Sequence, residues 1–106
     1  MKYDAIMLSE RDNVATALRD LEPRETVFVV CGSRSFVHPV REFIPYGHKF
    51  AVGDIARGAD IVKYGEVIGR AVMPIAAGRH VHVENVESLR GRGDLPAAPE
   101  GAGHGV

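Results

Sequence analysis

The chain has 106 residues, is 45 % apolar and carries a formal net charge of −1. That length fits one domain, and a domain of this size buries roughly two thirds of its unfolded surface, so it can hold a core without a metal or a disulfide. Three things are excluded. The balanced charge, with no run of Lys or Arg, gives nucleic acid or an anionic membrane little to hold. No stretch reaches the ~18 apolar residues of a membrane span. Met1-Lys2-Tyr3-Asp4 has no basic region leading into an apolar stretch, so a cytoplasmic location is the default expectation.

In chain order, Tyr3–Leu8 reads as a first strand. Residues 12–21 fit two patterns: Val14, Ala17, Leu18 and Leu21 have helical spacing with Asp12 or Asn13 as cap, and Val14-Ala15-Thr16-Ala17 also suits a strand. Glu22-Pro23-Arg24-Glu25 is a turn. Thr26–Cys31 is a strand by its β-branched content, Gly32–Ser35 turns the chain, and Phe36–Phe43 returns as a hairpin. Cys31, the single cysteine, ends an apolar run and reads as a small buried hydrophobe suited to a reducing compartment. His38 is the only base near it in sequence, and its place before Pro39 reads as structural.

Glycines at 47, 53, 58, 65, 69 and 78 cut the next stretch into short Val- and Ile-rich runs: Ile61-Val62-Lys63-Tyr64, Val67-Ile68 and Val81-His82-Val83. These predict brief strands in a tightly turning all-β fold. Ile55-Ala56-Arg57-Gly58-Ala59-Asp60-Ile61 is echoed by Ile75-Ala76-Ala77-Gly78-Arg79-His80-Val81. The echo predicts two single helical turns, each closed by Gly before a strand, with Asp54 capping the first and Pro74 starting the second. Beyond Leu89 the chain is rich in Gly, Pro and Ala, so the folded domain is expected to span residues 1–94 and residues 95–106 to form a disordered tail.

Three clusters carry candidate chemistry: Gly47-His48-Lys49, Lys63-Tyr64-Gly65 and His80-x-His82-x-Glu84-Asn85. On a strand, His80, His82 and Glu84 share one face, with Val81 and Val83 turned to the core. Two imidazoles and a carboxylate suit Zn, Fe or Mn, a carboxylated substrate or a proton transfer; a solvated polar strand face has the same pattern. A spacing of ~7 Å between same-face neighbours strains joint ligation by one strand, so His48 becomes informative if the fold brings it close. Lys49 and Lys63 suit an acidic substrate. The P-loop, dinucleotide, CxxC, HExxH and Gly-x-Ser-x-Gly signatures are missing. A small β domain without an enclosed acid–base pair points to a subunit that completes a partner's site.

Ile44-Pro45-Tyr46-Gly47-His48-Lys49-Phe50-Ala51-Val52-Gly53-Asp54-Ile55, Ile61-Val62-Lys63-Tyr64-Gly65-Glu66-Val67-Ile68-Gly69-Arg70-Ala71 and Ile75-Ala76-Ala77-Gly78-Arg79-His80-Val81-His82-Val83-Glu84-Asn85 resemble the altronate/galactarate dehydratase family, and Asp12-Asn13-Val14-Ala15 resembles its N-terminal motif. The resemblance implies a SAF domain, an all-β fold of the β-clip type similar to type III antifreeze protein, with residues 14–18 as a strand. It implies a lyase small subunit, similar to that of sulfolactate sulfo-lyase and inactive alone, with a large catalytic subunit as partner. The implied reaction is β-elimination from a small hydroxy acid, assisted by a divalent metal such as iron or manganese. His48 and His82 are the implied catalytic residues, Lys49, His80 and Asn85 the substrate-binding ones, and His48, His82 and Glu84 the metal candidates. The sequence departs from the family pattern at Ser9 and Glu84, where the family tends to carry His. The other class of function considered is a stand-alone SAF-type binding or interaction module. Exposed β edges also leave room for pairing with a second copy.

Overall fold

The computed structural model describes residues 2–89; the expected boundary at residue 94 and the tail lie outside them. Among the described residues the fold is all-β: β1 (Ala5–Met7), β2 (Val14–Ala17), β3 (Thr26–Cys31), β4 (Arg34–Pro39), β5 (Lys49–Ala51), β6 (Asp60–Lys63), β7 (Glu66–Ala71), β8 (His80–Val81) and β9 (Val86–Ser88). A six-stranded sheet runs β4-β3-β1-β2-β5-β8, and a three-stranded sheet runs β6-β7-β9. Residues 14–17 are a strand, antiparallel to both β1 and β5, so cross-strand pairing overrides the helical spacing of Val14, Ala17, Leu18 and Leu21.

β3 alternates as its sequence requires: Val27, Val29 and Cys31 are buried, while Thr26 and Phe28 are exposed. Cys31 is a core residue. In the β3–β4 register His38 faces Val27 and Cys31 faces Arg34, so His38 sits at the other end of the hairpin and offers Cys31 no base.

Two apolar clusters form the interior. One gathers Ala5, Met7, Ala15, Ala17, Leu21, Val27, Val29, Ile44 and Phe50. The other gathers Val14, Ala51, Ile55, Ile61, Ile68, Ala71, Ile75, Val81 and Val86. β2 and β5 serve both, because successive strand residues point to opposite faces: Phe50 enters the first cluster and Ala51 the second.

The echoed Ile-Ala-x-Gly segments are hydrogen-bonded turns, and no helix occurs among the described residues. Among the described residues the turn is used four times. Glu25, His48, Ala59 and Arg79 each donate their amide to the carbonyl three residues back, at 2.9–3.1 Å. The third position of each turn has positive φ: Arg24 at 70°, Gly47 at 84°, Gly58 at 87° and Gly78 at 87°. That is the mark of a type II turn, where Gly is favoured. The same third residues donate to Val40, Ala17, Ala71 and Ala51 respectively, at 2.7–2.9 Å. The residues just before the turns pair as Leu21 with Ile44 and Ile55 with Ile75. Asp54 accepts from Ala77 N at 2.9 Å, as Asp20 accepts from Tyr46 N at 2.8 Å. Asp54 therefore braces the partner turn and does not cap its own.

Candidate functional site

The turn Pro45–His48 delivers His48 to the start of β5, and the turn Ala76–Arg79 delivers His80 to the start of β8. β5 and β8 pair antiparallel, Lys49 with Val81 and Phe50 with His80. This register sets His48 beside His82. The three imidazoles stack, with ring centroids 4.4 Å apart for His48 and His82, 5.1 Å for His48 and His80, and 5.2 Å for His80 and His82. One ring nitrogen from each lies within 4.8 Å of the others. Nδ1 of His48 is 2.8 Å from Nε2 of His80.

β8 ends at Val81, short of the strand expected through Glu84. Residues 82–85 form a turn closed by Asn85 N donating to His82 O at 3.0 Å. Asn85 is why the strand stops: its Oδ1 accepts from His82 N at 2.9 Å and its Nδ2 donates to His80 O at 2.8 Å. Both ends of this buried amide thus hold the histidine backbone in place. Val81 is buried as expected, whereas Val83 is exposed because it lies on the turn. Glu84 stands at the rim, its side chain 62 % exposed and Oε2 3.5 Å from His80 Nδ1. Its carboxylate is not among the clustered ligand atoms.

Lys49 faces Val81 and Thr16 across its strand neighbours. Its side chain therefore leaves β5 on the side of the second cluster, opposite to Phe50 and His80. It is 3 % exposed. Burial, with Lys63 adding repulsion, lowers its pKa to about 8. Lys63-Tyr64-Gly65 is a hairpin turn: Lys63 pairs with Glu66, and Tyr64 and Gly65 both have positive φ, as in a type I′ turn. Lys63 lies 5.0 Å from the Tyr64 ring centroid.

Burial pushes His80 below the usual imidazole range, against a smaller upward pull from Glu84. Burial also lowers His82, with His48 and His80 adding to it. Neutral imidazoles are the ligating form, and Nδ1 of His82 is buried with no hydrogen-bond partner. Three imidazoles with converging nitrogens, and an orphaned nitrogen on His82, fit a divalent cation.

Glu42 braces the histidine site itself, whereas Asp12 and Asn13 brace the neighbouring β6–β7 hairpin. Glu42 Oε2 accepts from His80 N at 2.9 Å, and nothing in its sequence context signals this. Asp12, expected as a helix cap or as part of the N-terminal motif, is buried and accepts from Leu8 N, Ser9 N and Gly65 N at 3.2, 3.3 and 2.8 Å. Asn13 accepts from Val62 N at 2.8 Å and donates to Asp60 O at 2.9 Å. The Asp-Asn pair ties the β6–β7 hairpin to the β1–β2 loop.

Residues 3–89 match the family described as the altronate/galactarate dehydratase SAF domain. The chain belongs to this family. The SAF domain is 43 % identical over 88 residues to altronate dehydratase of Escherichia coli (strain K12), covering 83 % of this chain and 17 % of that protein. It is 42 % identical over 65 residues to (2R)-sulfolactate sulfo-lyase subunit alpha of Chromohalobacter salexigens, covering 61 % of this chain and 69 % of that subunit. It is 54 % identical over 58 residues to galactarate dehydratase (L-threo-forming) of Escherichia coli (strain K12), covering 55 % of this chain and 10 % of that protein. The chain thus spans a small part of the two dehydratases and most of the sulfo-lyase subunit.

Proposed function

We propose that this SAF domain is the small part of a hydroxy-acid lyase and lends its three imidazoles to a β-elimination site completed by a larger catalytic subunit or domain. The observation that carries the reading is the convergence of His48, His80 and His82, whose ligand atoms lie within 4.8 Å of one another. The relatives add support from both sides: two are named dehydratases, and one is named a lyase subunit of about this size.

β-Elimination from a hydroxy acid removes the proton α to the carboxylate and expels a group, water or sulfite, from the β carbon. A divalent cation such as iron or manganese would stabilise the developing enolate charge. His48, His80 and His82 would hold it. Asn85 and Glu42 keep the His80 and His82 backbone fixed, so the rings keep their aim. Glu84 lies outside the ligand set. Lys49 contributes its positive charge from the other face of β5, which favours an anionic substrate at the imidazoles without touching it.

The test is a tagged pull-down from the native host, with intact masses of whatever co-elutes and a hydroxy-acid elimination assay on the product. A stoichiometric larger partner is expected, with turnover that His48→Ala and His82→Ala abolish while assembly persists. Recovery of the chain alone, or turnover indifferent to both substitutions, refutes the reading.

A further inference from the structure

His80 is gripped at three points. Its backbone N–H is taken by Glu42, its Nε2 faces His48 Nδ1 at 2.8 Å, and its Nδ1 lies 3.5 Å from the Glu84 carboxylate, longer than an ordinary hydrogen bond but close enough for the negative charge to favour a proton there. Glu42 Oε2 accepts from the His80 backbone, and Glu84 is the carboxylate that lies against Nδ1.

We propose that Glu84 is a positioning residue that fixes the tautomer of His80 and, through it, that of His48. An ionised carboxylate only accepts, and a neutral imidazole carries one N–H. With the proton of His80 on Nδ1, facing Glu84, its Nε2 has only a lone pair. The short contact to His48 then needs the other proton, so His48 donates from Nδ1 and keeps its lone pair on Nε2. One exposed carboxylate thereby sets which nitrogen of each ring carries the proton. Once the His48 N–H turns away from it, His80 Nε2 can meet a cation without giving up a proton, and a carboxylate behind a ligating histidine raises the ring's basicity. The consequence for metal affinity rests on the three-histidine reading above; the tautomers do not.

Long-range proton–nitrogen NMR of the metal-free protein, labelled with ¹⁵N-histidine, reads the tautomers directly. Both His80 and His48 are expected as Nδ1–H, the less common form of free histidine. Glu84→Ala is expected to return His80 to Nε2–H or a mixture, and Glu84→Gln to keep Nδ1–H, because its amide oxygen still accepts. Titration with cobalt(II) against a chromophoric chelator adds the second readout: about tenfold weaker binding in Glu84→Ala and near wild-type binding in Glu84→Gln. A wild-type His80 protonated on Nε2, or a Glu84→Ala spectrum unchanged from wild type, overturns the proposal. So does equal loss of cobalt in Glu84→Gln and Glu84→Ala, which would make Glu84 a ligand. Nδ1–H tautomers in a protein that ignores cobalt would uphold the positioning role and remove the metal reading instead.

Discussion

The imidazoles of His48 and His82 stack with 4.4 Å between their centroids, although one ends a turn before β5 and the other lies just past β8. Truncating either ring should leave the domain folded, since neither belongs to the apolar clusters. The expected outcome is a loss of cobalt(II) affinity of at least tenfold for His48→Ala and for His82→Ala, with thermal midpoints close to wild type. Metal-dependent stabilisation should vanish with it: a cation at a hundred times its Kd raises stability by ~2.7 kcal/mol, which scanning calorimetry with and without cobalt resolves.

Asp12 carries three backbone amides from two loops. Asp12→Ala leaves these donors without their acceptor, at a cost of roughly 2–4 kcal/mol. Urea unfolding should show the midpoint falling with an unchanged slope. Asp12→Asn keeps one acceptor oxygen and should lose less.

The four type II turns form a graded series. Gly58 has φ of 87° with open space around a built Cβ, whereas at Gly78, also at 87°, a Cβ would lie 2.8 Å from the Pro39 carbonyl oxygen. Gly58→Ala should cost about 1 kcal/mol, from the left-handed backbone alone. Gly78→Ala should cost more, because the clash is with backbone. Arg24→Gly should gain about 0.5 kcal/mol, relief of positive φ exceeding the added freedom of the unfolded chain. Chemical denaturation of the three variants checks the order.

At the surface, Arg19 binds both Glu25 and Asp4. The Arg19 guanidinium, with the Glu22 backbone, holds the Glu25 carboxyl below the usual carboxylate range. A lowered folded-state pKa gives stability that is complete above the unfolded value of about 4.3 and lost as pH falls through the folded value. Solvent screening keeps it below about 1 kcal/mol. Unfolding measured from pH 6 down to pH 2 should show Glu25→Gln less stable than wild type at the upper end and converging with it at the lower.

Much of the fold is legible in the sequence because strand alternation and turn glycines are local signals. Thr26–Cys31 alternates in burial as its residues suggest, and the Ile-Ala-x-Gly echo marks two of the four turns. Glu22–Glu25 is legible as a turn but not as one of the series, because Arg24 stands where the others have Gly, and Pro45–His48 escapes because Pro45-Tyr46-Gly47 differs from Ala-x-Gly; the shared element is a backbone angle, not a residue. Both Ile-Ala-x-Gly segments suggest a helical turn because one turn of helix and a type II turn look alike over four residues. At the site, the alternation of His80 and His82 points to a shared face, but their meeting with His48 depends on the β5–β8 register. The end of β8 at Val81 depends on the Asn85 side chain. Lys49 illustrates the limit: adjacent to His48 in sequence, it leaves the strand on the opposite face.

β5 has a consequence for how the domain comes apart. A strand that fills one apolar cluster with Phe50 and another with Ala51 cannot peel from the first without stripping the second, so neither half has an independent route to opening. The amide protons of β5 should exchange with solvent only through global unfolding, at a rate matching the slowest in the domain. His48, anchored to that strand, then keeps its alignment for as long as any native molecule survives, and the imidazole cluster is lost together with the fold and not ahead of it.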